Sequence, residues 1–340
     1  MTGRAAGAPI DLDMQVVLEM LDALGRKPIP SLSPKDARQQ PGLSHAALAV
    51  LGAQGRDTAP PRVAQLEYRF VPGADTEIGT RIFTPVLSGP APLVLYIPDG
   101  GWVMPELDEG ELAARALTRR ASAVVVLMNY RPAPEHRFPA AHDDAFVVYR
   151  WLREHARFIG GDPDRIIVAG EGAGANMAAN VALRARDEGL PMPAHQLLIC
   201  PVAGTNLETE SYLECEHARP LDKATMAWCF RHLLGRSGPA GDPRLALAGR
   251  ADLAGLPPAT VITAAIDPLR SEGEALVQAL ERARVPVRHQ RFDGVTHGFF
   301  GLSDVVARAG DAVTFAADSL AGSLAMVRAA DTSIQPSVAP

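Results

Sequence analysis

Residues 124–140 read VVVLMNYRPAPEHRFPA. The first five are apolar without alternation, rich in β-branched side chains and too few for a core helix, so they predict a strand buried on both faces. The run stops at Asn129, and Pro132, Pro134 and Pro139 then fix the backbone and remove three donors, which makes the segment a rigid crossing rather than an element. Arg131 and Glu135 are placed to pair across it. Working outward, further strand candidates bounded by turn residues stand at 65–71, 79–83, 93–97, 166–169, 196–199, 260–264 and 287–292, with helical stretches between the later members. Strands separated by helical crossovers imply a largely parallel sheet with helices on both faces, an α/β architecture.

Outside this alternation, Met14, Val17, Leu18, Leu21 and Leu24 recur at helical spacing, with Asp11 placed to cap the start and Gly25 to end it. Residues 27–61 are polar, proline-containing and irregular, and read as a cap or lid. Residues 205–250 interrupt the alternation and read as an insertion over the sheet's C-terminal edge, where open α/β sheets hold their sites. The expected organisation is one domain over 1–330, with an N-terminal cap element at 1–62, an inserted cap segment at 203–250 and a disordered tail at 331–340. The C-terminal helical stretch 307–327 is expected to be exposed and able to pair in a homodimer.

Composition narrows the function classes. A net charge of −6 leaves no basic surface for a phosphate backbone, which excludes nucleic-acid binding as the main activity. No apolar run approaches a membrane span, and the start carries no apolar leader segment, so a cytoplasmic protein with no membrane partner is expected. Three cysteines without CxxC spacing read as buried thiols rather than a disulfide or zinc framework. No metal or cofactor is implied, because no His, Cys, Asp and Glu cluster has ligand spacing.

Four further segments carry chemistry. After the 93–97 strand comes Pro98-Asp99-Gly100-Gly101-Trp102; after the 166–169 strand comes Gly170-Glu171-Gly172-Ala173-Gly174. After the 260–264 strand comes Asp267 within Ala265-Ile266-Asp267-Pro268-Leu269-Arg270, and after the last strand comes His297 within Gly294-Val295-Thr296-His297-Gly298-Phe299. With Asn129–Pro139 and Asp144, these segments resemble the hormone-sensitive lipase branch of the α/β-hydrolase fold, the group of bacterial family IV esterases, over nearly the whole chain. The resemblance implies an α/β-hydrolase fold with a mostly parallel central sheet, helices on both faces and a helical cap. It also makes 129–135 the family's YRLAPE segment, 98–102 its HGGGW segment, and 170–174 its G-x-S-x-G nucleophile elbow. Asp267 and His297 then stand at the acid and base positions, with Ser271 replacing a second aspartate of the family's DPLRDEG.

Two departures follow from that resemblance. The elbow serine is Gly172, so acyl-enzyme chemistry has no hydroxyl at this position. Pro98-Asp99 replaces the first residues of the glycine loop, so a carboxylate stands beside the oxyanion hole expected from the N–H groups of Gly100, Gly101 and Ala173. An ionised Asp99 would oppose an oxyanion, whereas a protonated one would donate a proton. The expectation is therefore a non-hydrolytic enzyme acting on a partly apolar small molecule by elimination, cyclisation, isomerisation or decarboxylation. In it His297, oriented by Asp267, is the base, and Asp99 or Glu171 relays a proton. Arginine (30) against lysine (3) suggests a high-GC bacterial gene, and natural-product biosynthesis is the context guessed from it.

Other readings stay open at this point. One is an inactive ligand-binding protein with a decayed elbow at Gly172 and Glu171; another is slow ester hydrolysis by water that His297 activates. Glu171, or Cys215 near His217, is an alternative nucleophile. Gly170-x-Gly172-x-x-Ala175, with Asp187 and Glu188 further on, formally matches a dinucleotide fingerprint.

Overall fold

The structure, a computed structural model, describes residues 9–332 apart from 106, 237 and 240. In chain order it runs α1 (Leu12–Ala23), α2 (Pro34–Ala37), α3 (Leu43–Ala53), β1 (Gln65–Pro72), β2 (Glu77–Thr84), β3 (Ala91–Ile97), α4 (Leu107–Ala121) and β4 (Val124–Met128). It continues with α5 (Ala140–His155), β5 (Gly161–Glu171), α6 (Ala173–Asp187), β6 (His195–Ile199), α7 (Glu210–Glu214) and α8 (Lys223–Leu234). The last elements are β7 (Ala259–Ile266), α9 (Arg270–Arg282), β8 (Val287–Thr296) and α10 (Ala307–Thr332).

The eight strands form one sheet in the order β1-β2-β4-β3-β5-β6-β7-β8. β1 and β2 run antiparallel to their neighbours, and β3 to β8 pair in parallel. Because successive side chains leave a strand on opposite faces, each central strand feeds two cores. Leu93, Leu95, Val124, Val126, Ile166 and Val168 pack with helices α5, α6 and α8 on one face. Val94, Tyr96, Val125, Leu127, Ile167 and Ala169 pack with α1, α3, α4 and α10 on the other. All eight sequence-read strands are present, as the α/β-hydrolase fold requires.

Several local expectations change. Residues 27–61 are not irregular throughout: Leu43, Ala46, Ala47 and Val50 of α3 are buried in the second core. The short, alanine-rich face of α3 gave too weak a periodicity to read. Asp11 precedes α1 but makes no side-chain cap, and its backbone N–H donates to Gly294 O at 2.8 Å instead. Arg131 does not pair with Glu135. It binds Asp144 at 2.8 Å and Asp75 at 2.5 Å, while Glu135 binds Arg38 at 2.6 Å. The short fixed crossing turns the two side chains toward different elements.

Helix α10 is not free to pair through its apolar stripe, because Ala309, Ala312, Val313, Ala316 and Leu320 are buried within the chain. The tail at 331–340 lies outside the described residues beyond Thr332. Among the described residues, no helix is long and apolar enough to cross a membrane.

Candidate active site

The site lies at the C-terminal ends of the parallel strands, where β3, β5, β7 and β8 each deliver one turn. The β5–α6 turn is tight: Gly172 has φ 53° and ψ −116°, its N–H donates to Ile199 O at 2.9 Å, and α6 starts at the next residue. The β3 loop is equally constrained. Gly100, Gly101 and Trp102 all have positive φ, and Met104 N–H closes the loop on Gly100 O at 2.8 Å.

Asp267, fully buried after β7, is fixed by the Leu269 N–H at 2.8 Å and accepts from His297 Nδ1 at 2.8 Å. The other imidazole nitrogen, Nε2, lies 2.8 Å from Asp99 Oδ2. Asp99 Oδ1 in turn accepts from Ala173 N–H at 2.9 Å and Gly101 N–H at 3.3 Å. A Cβ placed on Gly172 would lie 2.2 Å from that same oxygen. Asp99 therefore fills the space that a side chain at 172 would take. Tyr130 of the rigid crossing steadies the loop, donating its hydroxyl to Asp99 O at 2.8 Å.

Electrostatics follow from this chain of three groups. Burial alone would lower His297, but the two facing carboxylates outweigh it and hold the imidazole well above its ordinary range. Burial would raise Asp99, yet the His297 contact and the two backbone N–H groups bring it below the usual carboxylate value. Both shifts favour a protonated imidazole held between Asp99 and Asp267. Of the two alternatives for Asp99 these directions favour the ionised one, and they oppose a free His297 base.

Of the expected hole donors, Gly101 and Ala173 converge on one oxygen, and Gly100 N–H is not among that oxygen's partners. Glu171 lines the same cavity, with burial pushing its carboxyl up to about 7 and Asp99, Asp267 and Glu109 adding to the rise against the opposing charge of His297. The cavity, of about 160 Å³, is also lined by Leu43, Met104, Leu112, Leu221 and Leu302. α3 and the inserted segment therefore both contribute walls.

The other candidates separate from the site's chemistry. Burial raises the Cys215 thiol, and neither it nor His217 lines the cavity, so it is no nucleophile there. All three cysteines are free and buried. Cys200 brings its sulfur within 4.8 Å of donor atoms of Asp267 and His297, but burial holds it as a thiol and both His297 nitrogens already face carboxylates. The glycine fingerprint at 170–175 is the elbow itself, with a carboxylate already at the start of α6, where a pyrophosphate would have to sit.

The family model for the alpha/beta hydrolase fold matches residues 94–301. The chain belongs to this family. A carboxylesterase of Mycobacterium tuberculosis, NlhH, is 39% identical over 242 residues, 70% of this chain and 76% of that protein. An ethyl acetate hydrolase of Pseudomonas putida is 29% identical over 91% of this chain and 97% of its own length. Among solved structures, a hyperthermophilic esterase of the archaeon Pyrobaculum calidifontis superposes with a TM-score of 0.83 at 31% identity, covering 94% of this chain and 99% of that one.

These relatives overturn the expected reaction class. They are ester hydrolases, so the lyase, cyclase or isomerase reading, and the biosynthetic context attached to it, give way to a hydrolytic enzyme. Sequence reasoning also missed the contact between Asp99 and His297. Its signal was present: the two departures, Asp99 and Gly172, fall in the two loops that meet at the site, and one explains the other sterically.

Proposed function

We propose that the chain hydrolyses small, partly apolar carboxylic esters with water as the attacking group, since position 172 carries no serine nucleophile. The observation that supports this reading most is the pair of N–H groups, from Gly101 and Ala173, already converging on a negatively charged oxygen beside an Asp267–His297 pair. An ester carbonyl oxygen entering there displaces Asp99 Oδ1 and receives the same two donors as charge develops. With Asp99 displaced, His297 loses one of the two carboxylates that keep it protonated. That proton passes from Nε2 to bulk water, and the neutral Nε2 then takes a proton from the attacking water as it adds to the carbonyl carbon and passes it to the departing alcohol. The esterase names of the relatives and the apolar walls of the cavity point to the same substrate class.

The test is turnover of p-nitrophenyl acetate and butyrate. Slow cleavage is expected, with His297→Ala lowering it by about 10²- to 10⁴-fold and no acyl-enzyme trapped. Absence of cleavage by the folded wild type, or an unaffected His297→Ala variant, overturns the reading.

A further inference from the structure

The arrangement of Asp99 suits a second electrophile better than a carbonyl. One carboxylate oxygen, Oδ1, rests on two backbone N–H groups, while the other, Oδ2, faces His297, and the side chain keeps 31% of its surface open toward the cavity. Attack by Oδ2 on a saturated carbon needs no oxyanion hole for a substrate carbonyl, and it makes Oδ1 the carbonyl oxygen of a new ester already seated between two N–H donors. The cavity also holds proton donors for a leaving oxygen. Tyr96 and Glu171 both line it as neighbours of each other, with the Tyr96 hydroxyl and Glu171 Oε1 buried. A donor beside a nucleophilic carboxylate is what opening a strained cyclic ether requires.

We propose that Asp99 is a covalent nucleophile toward small epoxides, which the protein hydrolyses to diols. Asp99 Oδ2 forms a bond to one ring carbon as the carbon–oxygen bond breaks, and the freed oxygen takes the proton of the Glu171 carboxyl. Alkylation removes the negative charge of Asp99, so His297 gives up its proton to the Glu171 carboxylate. Neutral His297 then accepts a proton from water as the hydroxide adds to Asp99 Cγ, with the charge on Oδ1 held by Gly101 and Ala173. Collapse releases the diol and restores the Asp99 carboxylate beside the His297 imidazolium. One water and one epoxide are consumed per diol.

This step shares Asp267 and His297 with ester hydrolysis but does not depend on it. Ester hydrolysis needs Asp99 out of the hole, whereas epoxide opening needs it in place.

The experiment uses the full chain with styrene oxide in water enriched in oxygen-18. After many turnovers, mass spectrometry of the peptide containing Asp99 is expected to show oxygen-18 in its carboxylate. His297→Gln is expected to accumulate a styrene oxide adduct on Asp99, because deprotonation of water slows by about 10²-fold or more while alkylation continues. Diol formed with unlabelled Asp99, or neither diol nor adduct from folded protein, overturns the proposal. Cleavage of p-nitrophenyl butyrate by the same preparation reports separately on the ester reading.

Discussion

The β5–α6 turn and the β3 loop contribute opposite things to the site. The turn supplies backbone without a side chain: Gly172 stands at φ 53° at the head of α6. The loop supplies a side chain, and Asp99 reaches from there into the space above Gly172. His297 Nε2 therefore takes its partner from the β3 loop and not from the β5–α6 turn. A site of this kind is held by a set of positions in space, and the chain has more than one way to fill them.

The sharpest way to break this comparison is to reverse the two contributions. Gly172→Ser combined with Asp99→Ala puts a hydroxyl on the turn and empties the hole. Ester cleavage is expected to rise by about 10³-fold over the wild type, with a covalent acyl-enzyme now trapped, since nucleophile, base and acid act as one unit. If the folded double variant shows no gain, the Asp267–His297 pair and the hole are not set for acyl transfer, and the contrast between turn and loop is only steric coincidence.

A smaller effect is expected in stability. Gly172→Ala alone forces a Cβ to 2.2 Å from Asp99 Oδ1 in backbone that strains any side chain, and a cost of about 3 kcal/mol is expected from that strain plus the disturbed charged hydrogen bonds. Adding Asp99→Gly relieves the clash but not the strain. The two losses should thus be less than additive, by about 1 kcal/mol or more in a double-mutant cycle from urea unfolding. Strict additivity shows that the two positions do not compete for one space.

How much of this was readable without coordinates differs between fold and site. The central strands were legible because a buried parallel strand carries its own signature, an unbroken apolar run such as 124–128, and such runs alternating with helices leave few topologies. Helix α3 was not, since Leu43, Ala46, Ala47 and Val50 bury a narrow face of small side chains that looks unlike an amphipathic helix. At the site, Asp267 and His297 were legible from their flanking residues. The role of Asp99 was not, because proximity across 198 positions is set by two loops meeting in space rather than by any local pattern. The charge state of His297 was missed for the same reason: one carboxylate partner permits a base near neutral pH, and two favour an imidazolium.

The pH dependence of ester cleavage measures that second carboxylate, and it is the finest of these tests. His297 faces Asp267 and Asp99 directly, with Cys200 and Glu171 close by. Its proton is held well above the ordinary range, so the base form appears only as pH rises through that elevated value, and cleavage should climb on the alkaline side. Removing Asp99 leaves Asp267 alone to hold the proton. The rising limb of kcat/KM should then move to lower pH in Asp99→Ala, and cleavage near pH 7 should increase by roughly 10-fold for each unit of that move. A limb that stays in place shows that His297 is set by Asp267 and burial alone, and Asp99 is then a neighbour of the imidazole without being its electrostatic partner.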